Sequence, residues 1–268
     1  MAARSRTVIA LILGVALTVW VWALAYTLYT MRWNAFEHPG PPAYELFPYG
    51  EMRIGVDASY PPFAVATADD LFGLDIDLGR ELGKRLEIDV RFVNMGFDGI
   101  YDSIRADQVD VVISALRIES GRMDEVLYTQ PYFNAGLMLV SSMADPITEM
   151  NALAGRSLAF EFGSEADAEA RQWSRRIADF ESQPYELPEY ALDAARLGIA
   201  DAALVDAVSY GLYRRDHPEW NASADYVTDA LYAIAVRIDR GAMADAVNRA
   251  LRSIMEDGTL DEIIRRWL

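Results

Sequence analysis

A segment near the middle of the chain combines residue types that could hold a small carboxylate. The run Asp110–Arg122 (DVVISALRIESGR) begins as a β-branched strand and then supplies Ser114 and two arginines, Arg117 and Arg122. An arginine fork matches the two oxygens of a carboxylate, and the backbone amides that a strand end leaves free add further donors. The spacing therefore predicts a carboxylate-binding site at the end of a buried strand.

The predicted elements around this segment alternate between strands and helices, which is typical of an α/β fold. Strands are predicted at 52–57, 88–93 and 109–114, with helices at 75–87 and 97–106 between them. In the first of these helices leucines recur every four residues and form one apolar stripe for packing against a sheet. A second block of alternating elements follows, with strands at 135–142, 157–161, 183–187, 201–205 and 231–237 and helices at 164–177, 189–198, 206–215, 241–256 and 259–267.

The N-terminus contains an apolar segment, Val8–Thr30, which follows Arg4 and Arg6. The segment is long enough to span a bilayer of about 30 Å as a helix. It is either a cleaved signal peptide, with Ala23–Ala25 as the cleavage site, or an uncleaved anchor, which the aromatic residues near its outer end favour. In both cases the basic N-terminus stays in the cytoplasm, so everything after residue 33 is expected to be exported.

Composition argues against several classes of partner and site. The formal net charge of −17 disfavours a duplex nucleic-acid partner, because phosphate binding requires a basic patch. The lack of cysteine excludes disulfides, thiolate metal sites and a cysteine nucleophile. The two histidines, His38 and His217, make no metal-ligand spacing with the acids, so we expect neither a metal nor a cofactor.

Three segments together resemble the amino-acid-binding members of the bacterial extracellular solute-binding proteins, family 3. They are Met52–Phe63 (MRIGVDASYPPF), Asp110–Phe133 and Asp201–Asp206 (DAALVD), and the resemblance extends from residue 50 to the C-terminus. It implies an α/β, periplasmic-binding-protein-like fold of type II, in which two lobes enclose a ligand. The chain would run from lobe 1 to lobe 2 and back to lobe 1.

The resemblance also implies domain boundaries and a hinge of two crossing strands, near 137–142 and 226–232. The expected parts are a membrane anchor or signal peptide at 1–31, a stiff Pro-rich linker at 32–50, lobe 1 at 51–139 plus 230–268, and lobe 2 at 140–229.

In lobe 1 the resemblance implies a carboxylate site and a side-chain pocket. Arg122 would hold the ligand carboxylate, Ser114 would lie near the amino group, and Asp57 would face the distal end of the ligand. Arg117 stands where the family more often has a small hydroxyl residue, and it either adds a second positive charge or points to solvent. The other positions implied to line the pocket are aromatic or apolar, namely Tyr60, Phe97 and Leu116.

Most of these residues also have an ordinary structural alternative. Arg122 could pair with a neighbouring acid such as Glu125, and Asp57 could cap an Asx-turn before the prolines. Ser114 could be a plain turn hydroxyl, and Phe97 could belong to the core at the start of its helix.

Lobe 2 is expected to complete the site. Gly163 and Ser164 combine a glycine turn with a helix N-terminus, which makes an anion site, although Ser164 could equally be a plain N-cap. Asp206 precedes a helix and would either pair with the ligand ammonium or cap that helix. Glu161 and Glu165 would select a cationic side chain or be solvated. A ligand that contacts both lobes would close the hinge.

These expectations predict an extracytoplasmic binding protein rather than an enzyme. It would capture an amino acid or a close relative and present it to the permease of an ABC transporter, with the N-terminal helix as its contact with the membrane. A periplasmic dehydratase-like enzyme on the same fold is one alternative, with Glu161 or Glu165 as the general acid. The sensing ectodomain of a receptor is another, and it would need a partner chain for its output.

Overall fold

The computed structural model describes residues 41–177 and 179–268, together with Trp20 and Trp22. Apart from these two tryptophans, the predicted N-terminal segment 1–31 lies outside the described residues, as does the first part of the predicted linker. Within the described part of the chain, no helix has the length and apolar composition that crossing a bilayer requires.

Strands and helices alternate along the described residues, as predicted. In chain order the strands are β1 (Glu51–Val56), β2 (Ser59–Tyr60), β3 (Ala64–Ala66), β4 (Leu71–Phe72), β5 (Asp89–Asn94), β6 (Val111–Val112), β7 (Val126–Tyr128), β8 (Phe133–Asn134), β9 (Leu137–Ser142), β10 (Ser157–Glu161), β11 (Glu181–Tyr185), β12 (Ala202–Asp206), β13 (Ala222–Tyr226), β14 (Leu231–Tyr232) and β15 (Ala235–Arg237). The helices are α1 (Ala43–Leu46), α2 (Leu74–Leu86), α3 (Ile100–Arg105), α4 (Glu165–Trp173), α5 (Pro188–Arg196), α6 (Ala207–Asp216), α7 (Gly241–Glu256) and α8 (Thr259–Trp267).

The first sheet combines strands from early and late parts of the chain, in the order β5-β1-β6-β15-β7. β1 runs parallel to β5 and β6, whereas β15 runs antiparallel to β6 and β7. A strand at the centre of such a sheet is covered on both faces, and β1 is accordingly buried from Met52 to Val56. Because β15 lies inside this sheet, the C-terminal part of the chain returns to lobe 1, as the resemblance implied.

The second sheet has the order β11-β10-β12-β9-β13. β10 runs parallel to β11 and β12, and β9 runs antiparallel to β12 and β13. Side chains of β9 alternate between two apolar clusters, with Leu137 and Leu139 on one face and Met138 and Val140 on the other. This alternation is what a strand buried between two layers requires.

One of the two strands predicted to cross between the lobes belongs to the second sheet. The stretch 137–142 was expected to cross between the lobes, but hydrogen bonding and burial on both faces place all of it in the second sheet. The pair outside both large sheets is β8 with β14, in which Asn134 faces Leu231 and Phe133 faces Tyr232. The predicted strand 231–237 is divided for the same reason, because its first part joins this pair and its last part joins the first sheet.

The core of lobe 1 is formed where α2, α7 and α8 pack on the first sheet. The predicted leucine stripe is confirmed, since Leu74, Leu78 and Leu82 are completely buried. The same core contains Phe47 from the segment that was predicted to be a stiff linker. That prediction was wrong for residues 43–50, because α1 and the buried Phe47 ring pack on lobe 1. The segment was interpreted as a linker because of its prolines, although it also contains a short apolar pattern.

Candidate functional site

The first sheet, at the ends of its parallel strands, carries a cavity of about 340 Å³. It brings together most of the residues predicted for lobe 1 and adds several that sequence reasoning did not name. The lining residues are Asp57, Ser59, Tyr60, Phe97, Ser114, Ala115, Arg117, Glu119 and Tyr232.

Asp57 follows β1 and lines this cavity while it also caps a turn. Its Oδ1 accepts hydrogen bonds from the amide and hydroxyl of Ser59, at 3.0 and 2.6 Å, and its Oδ2 accepts one from the amide of Phe97 at 3.2 Å. The Ser114 hydroxyl accepts the amide of Asp57 at 2.9 Å, which leaves its own proton free to donate. Asp57 therefore caps the turn and lines the cavity with the same side-chain orientation.

Two aromatic rings form an apolar wall of the cavity. Tyr60 stacks on Phe63 with ring centroids 5.6 Å apart, yet 47% of Tyr60 remains exposed. Phe97 lies in a 3-10 turn ahead of α3 and is 49% exposed, so its ring belongs to the cavity and not to the core. Rings exposed on a concave surface provide contact area for the aliphatic part of a ligand.

The two arginines of the segment have different positions. Arg117 lines the cavity, and its Nη1 lies 3.3 Å from a carboxylate oxygen of Glu165 in lobe 2. Arg122 is not among the residues that line the cavity, and its guanidinium is 3.4 Å from both Glu119 and Glu125 and covers the ring of Tyr101 at 4.0 Å. Arg122, which the resemblance assigned to the ligand carboxylate, is thus paired with two acids of the protein itself. One of them, Glu119, lines the cavity.

Leu116 does not supply a side chain to the cavity. The side chain is completely buried in an apolar cluster under α3. Its carbonyl oxygen instead accepts a hydrogen bond from the amide of Ala233 at 3.0 Å, which joins the site to the segment that follows the hinge. An apolar residue beside a strand end is more often core, and this one is.

A second cavity, of about 200 Å³, lies in lobe 2. It includes Ser164, Glu165 and Asp206 from the predicted set, together with Glu161, for which the sequence left two roles open. The lining residues are Leu137, Glu161, Ser164, Glu165, Ala166, Pro188, Leu204, Val205 and Asp206. Because Arg117 of the first cavity contacts Glu165 of the second, the two cavities meet at one cleft.

The start of α4 is satisfied internally. Ser164 is its N-cap, and the hydroxyl accepts from the amides of Ala166 and Asp167 at 3.1 and 3.3 Å. Gly163 adopts a φ of +77°, which glycine tolerates best, and its amide donates to a carboxylate oxygen of Asp167 at 2.9 Å. The glycine turn is present as predicted, but an acidic side chain of the helix already accepts the Gly163 amide.

Asp206 ends β12 and caps α6. Its Oδ1 accepts from the amides of Val208 and Ser209 at 3.0 and 2.9 Å, and its Oδ2 accepts from the Ser209 hydroxyl at 2.6 Å. An ionised carboxylate offers about four lone-pair sites, so this cap leaves room for one more donor from the cavity side.

Glu119 and Tyr232 line the cavity without having been predicted from the sequence, and neither was the buried Asp75, whose carboxyl group accepts the amide of Ala115. Glu119 had a usable signal, because its spacing of three from Arg122 predicts a local ion pair on a turn. Tyr232 reaches the cavity because β14 pairs with β8, and no local sequence pattern indicates this pairing. Asp75 interrupts an apolar run, and an acid at such a position indicates a buried polar contact.

Two α/β lobes joined by a short strand pair, with a polar cavity on each side of one cleft, define a two-lobe ligand-binding protein. Residues 52–268 match the family of bacterial extracellular solute-binding proteins, family 3, and the chain belongs to that family. The family is extracytoplasmic, in agreement with the predicted export of this region.

Relatives of known activity are similar over most of their length. The chain is 30% identical to the lysine/arginine/ornithine-binding periplasmic protein of Escherichia coli (strain K12), across 81% of this chain and 86% of that protein. It is 26% identical to ABC transporter arginine-binding protein 1 of the same strain, across 81% of this chain and 90% of that protein. The fold superposes on an L-cystine solute receptor of Neisseria gonorrhoeae with a TM-score of 0.71 at 19% identity, covering 85% and 96% of the two chains.

Proposed function

We propose that this protein binds a free amino acid with a cationic side chain between its lobes and passes it to an ABC transporter. The charge of the two cavities is the observation that carries the proposal, because their lining contains five carboxylates and one guanidinium. The carboxylates belong to Asp57, Glu119, Glu161, Glu165 and Asp206, and the guanidinium to Arg117. A ligand with two positive charges and one negative charge offsets this excess better than a neutral or acidic amino acid does.

The ligand carboxylate is assigned to the loop that follows β6. The amide of Arg117 and the guanidinium of Arg122 are the donors proposed for it, in line with the resemblance. The contacts of Arg122 with Glu119 and Glu125 are long, at 3.4 Å each, so a carboxylate that pairs with both prongs of the fork can replace one of them.

The ammonium group and the side chain are assigned to opposite parts of the cleft. Asp206 is proposed to accept the α-ammonium, using the lone pairs that its capping role leaves free. The aliphatic part lies between the rings of Tyr60 and Phe97, and the distal cation faces Asp57 and Glu119. A zwitterion held in this way has charged partners in both lobes.

Closure follows from this division of contacts. Neither lobe alone supplies partners for the carboxylate and the ammonium, so the ligand makes its full set of contacts only when the cleft is shut. A ligand shifts the open–closed equilibrium by the difference between its affinities for the two states. The β8–β14 pair is the proposed hinge.

The names of relatives support the ligand class and the transport role. Lysine, arginine and ornithine are the ligands named for the relative at 30% identity, and an arginine-binding ABC transporter protein is the second relative. We further propose that the N-terminal apolar segment exports the chain and remains as its tether. N-terminal sequencing of the mature protein tests this, because a start near residue 26 would contradict retention of the segment.

A thermal-shift screen of purified residues 33–268 tests the ligand class. Any ligand that binds the native state raises the melting temperature, and the rise grows with the logarithm of the ligand concentration relative to Kd. We expect L-arginine, L-lysine or L-ornithine to raise it, while L-glutamate and L-glutamine at the same concentration leave it nearly unchanged. A shift with the acidic or neutral amino acids alone would overturn the cationic assignment.

A further inference from the structure

Helix α2 buries one carboxylate directly behind the ligand loop. Asp75, the second residue of this helix, is completely buried, and both of its oxygens accept hydrogen bonds. Oδ2 accepts the amide of Ala115 at 2.7 Å, and Oδ1 accepts the phenolic hydroxyl of Tyr132 at 2.7 Å. Burial raises the pKa of the Asp75 carboxyl from 3.8 to about 7. A group that is so costly to bury is retained in the core only with both partners in place.

The first partner of Asp75 has a strained backbone. Ala115 has a φ of +45°, in the left-handed region that residues with a Cβ adopt rarely. The residue sits between Ser114 and Leu116, at the point where the chain turns along the cavity wall. Such a conformation persists only where its surroundings impose it. Here the hydrogen bond that the Ala115 amide donates to Asp75 of α2 is the contact that holds this conformation.

The second partner leads to the hinge. Tyr132 directly precedes β8, and its amide donates to the carbonyl oxygen of Tyr232 in β14 at 2.9 Å. The ring of Tyr232 lines the cavity and packs against Phe133 with centroids 6.0 Å apart. One buried carboxylate therefore joins the loop that contacts the ligand to the strand on which the lobes turn.

We propose that Asp75 is a positioning residue for ligand binding, which fixes the loop Ser114–Arg117 in its binding conformation and couples that loop to the hinge through Tyr132. The proposal rests on the proposed function to the extent that the cavity beside this loop is the ligand site. The loop geometry itself is independent of which ligand is bound.

The test compares Asp75 variants with a matched buried acid. Asp110 directly precedes β6, is buried, forms a 2.8 Å ion pair with Arg53 and does not line the cavity. Calorimetry with L-arginine should show Asp75→Ala binding at least about ten-fold more weakly, because the Ala115 amide has lost its acceptor. Asp75→Asn keeps an acceptor oxygen and should stay within about three-fold of the original affinity. Asp110→Asn should lower the melting temperature and leave the affinity unchanged.

A rescue variant separates positioning from general destabilisation. Glycine adopts a positive φ without strain, so Ala115→Gly in the Asp75→Ala background should recover part of the lost affinity. Tyr132→Phe, which removes one hydroxyl, provides a second variant if Asp75→Ala fails to fold, and it should bind L-arginine more weakly than the original protein. Original affinity in folded Asp75→Ala, or in Tyr132→Phe where Asp75→Ala does not fold, would overturn the proposal.

Amide hydrogen exchange in the absence of ligand tests the positioning role of Asp75 separately from the proposed ligand class. The Ala115 amide should exchange at least about ten-fold faster in Asp75→Ala than in Asp75→Asn, with the protection of β1 and β5 unchanged. This result is expected even if L-arginine does not bind the original protein, which would refute only the proposed ligand class. Equal exchange at Ala115 in both variants would refute the positioning role.

Discussion

At the scale of single residues, the acids of the site already have partners before a ligand arrives. Asp57 caps a turn and Asp206 caps α6, yet both line a cavity. Because a carboxylate can accept from several donors, the capping role and a binding role share one side-chain orientation. The sequence alone could not decide between capping and binding for these two residues, because both roles require an acid at the same position.

Arg122→Ala tests the assignment of the ligand carboxylate. We expect a loss of about 3 kcal/mol, or roughly 100-fold in Kd, because a bound carboxylate would lose its charged partner. Isothermal titration with L-arginine measures this. Arg117→Ala is the matched control and should lose less, because the backbone amide at that position remains. Equal affinity of Arg122→Ala and the original protein would contradict the assignment.

Asp206→Asn tests the ammonium partner while keeping the fold. Asparagine is as good an N-cap as aspartate, so the melting temperature should change little. The affinity for L-arginine should fall by about ten-fold or more, because the charge opposite the α-ammonium is lost. Its des-amino analogue should bind both forms of the protein alike. An equal loss for both compounds would place Asp206 outside the ammonium contact.

At the scale of elements, the alternation of strands and helices and the leucine stripe of α2 were predictable because they depend on local periodicity. The place of residues 137–142 was not predictable, because β9 has the same apolar pattern whether it crosses between lobes or lies within a sheet. Only pairing with β12 and β13 decides between the two. The docked segment 43–50 was missed because its stabilising contacts are made with residues distant in sequence, such as those of α7.

The close approach of the two chain segments beside the β8–β14 pair depends on a glycine. A methyl group on Gly136 would lie 1.9 Å from the carbonyl oxygen of Thr228, so Gly136→Ala must separate the segments. We expect a destabilisation of about 1–3 kcal/mol and weaker ligand binding, measured by thermal melting and titration. Gly241→Ala, at the start of α7 with open space around it, is the control and should be neutral or slightly stabilising. Similar melting temperatures for the two variants would contradict this.

The packing of α2 against the ligand loop predicts a pH dependence of stability. The Asp75 carboxyl has a pKa of about 7 when folded, compared with 3.8 for the ordinary group. Its contribution to stability is therefore fully present below pH 4 and is lost as the pH rises through 7, with a total on the order of 4 kcal/mol. Denaturant titrations at pH 4, 5.5 and 7.5 should show a smaller decline in Asp75→Asn than in the original protein. Parallel curves would contradict the burial of a proton at this site.

At the scale of the whole molecule, ligand binding should bring the lobes together. We expect the radius of gyration from small-angle X-ray scattering to fall when L-arginine saturates the site, because the ligand has charged partners in both lobes. Asp206→Asn at the same ligand concentration should show a smaller contraction. An unchanged radius with demonstrated binding would show that one lobe alone holds the ligand.

The packing of residues 43–50 on lobe 1 has a consequence for which parts of the molecule move together. Phe47 is fully buried in lobe 1, and the centroid of the Tyr49 ring lies 3.9 Å from the guanidinium carbon of Arg53, so residues 43–50 and lobe 1 pack as one unit. Lobe 2 is inserted into lobe 1 in the sequence and connects to it through the two stretches beside β8 and β14. Its helix α6 also contacts the C-terminus of the chain, where the Arg215 guanidinium donates to the carbonyl oxygen of Trp267 at 3.2 Å. When a ligand closes the cleft as proposed, we therefore expect residues 43–50 to move with lobe 1, and lobe 2 to change its orientation relative to both.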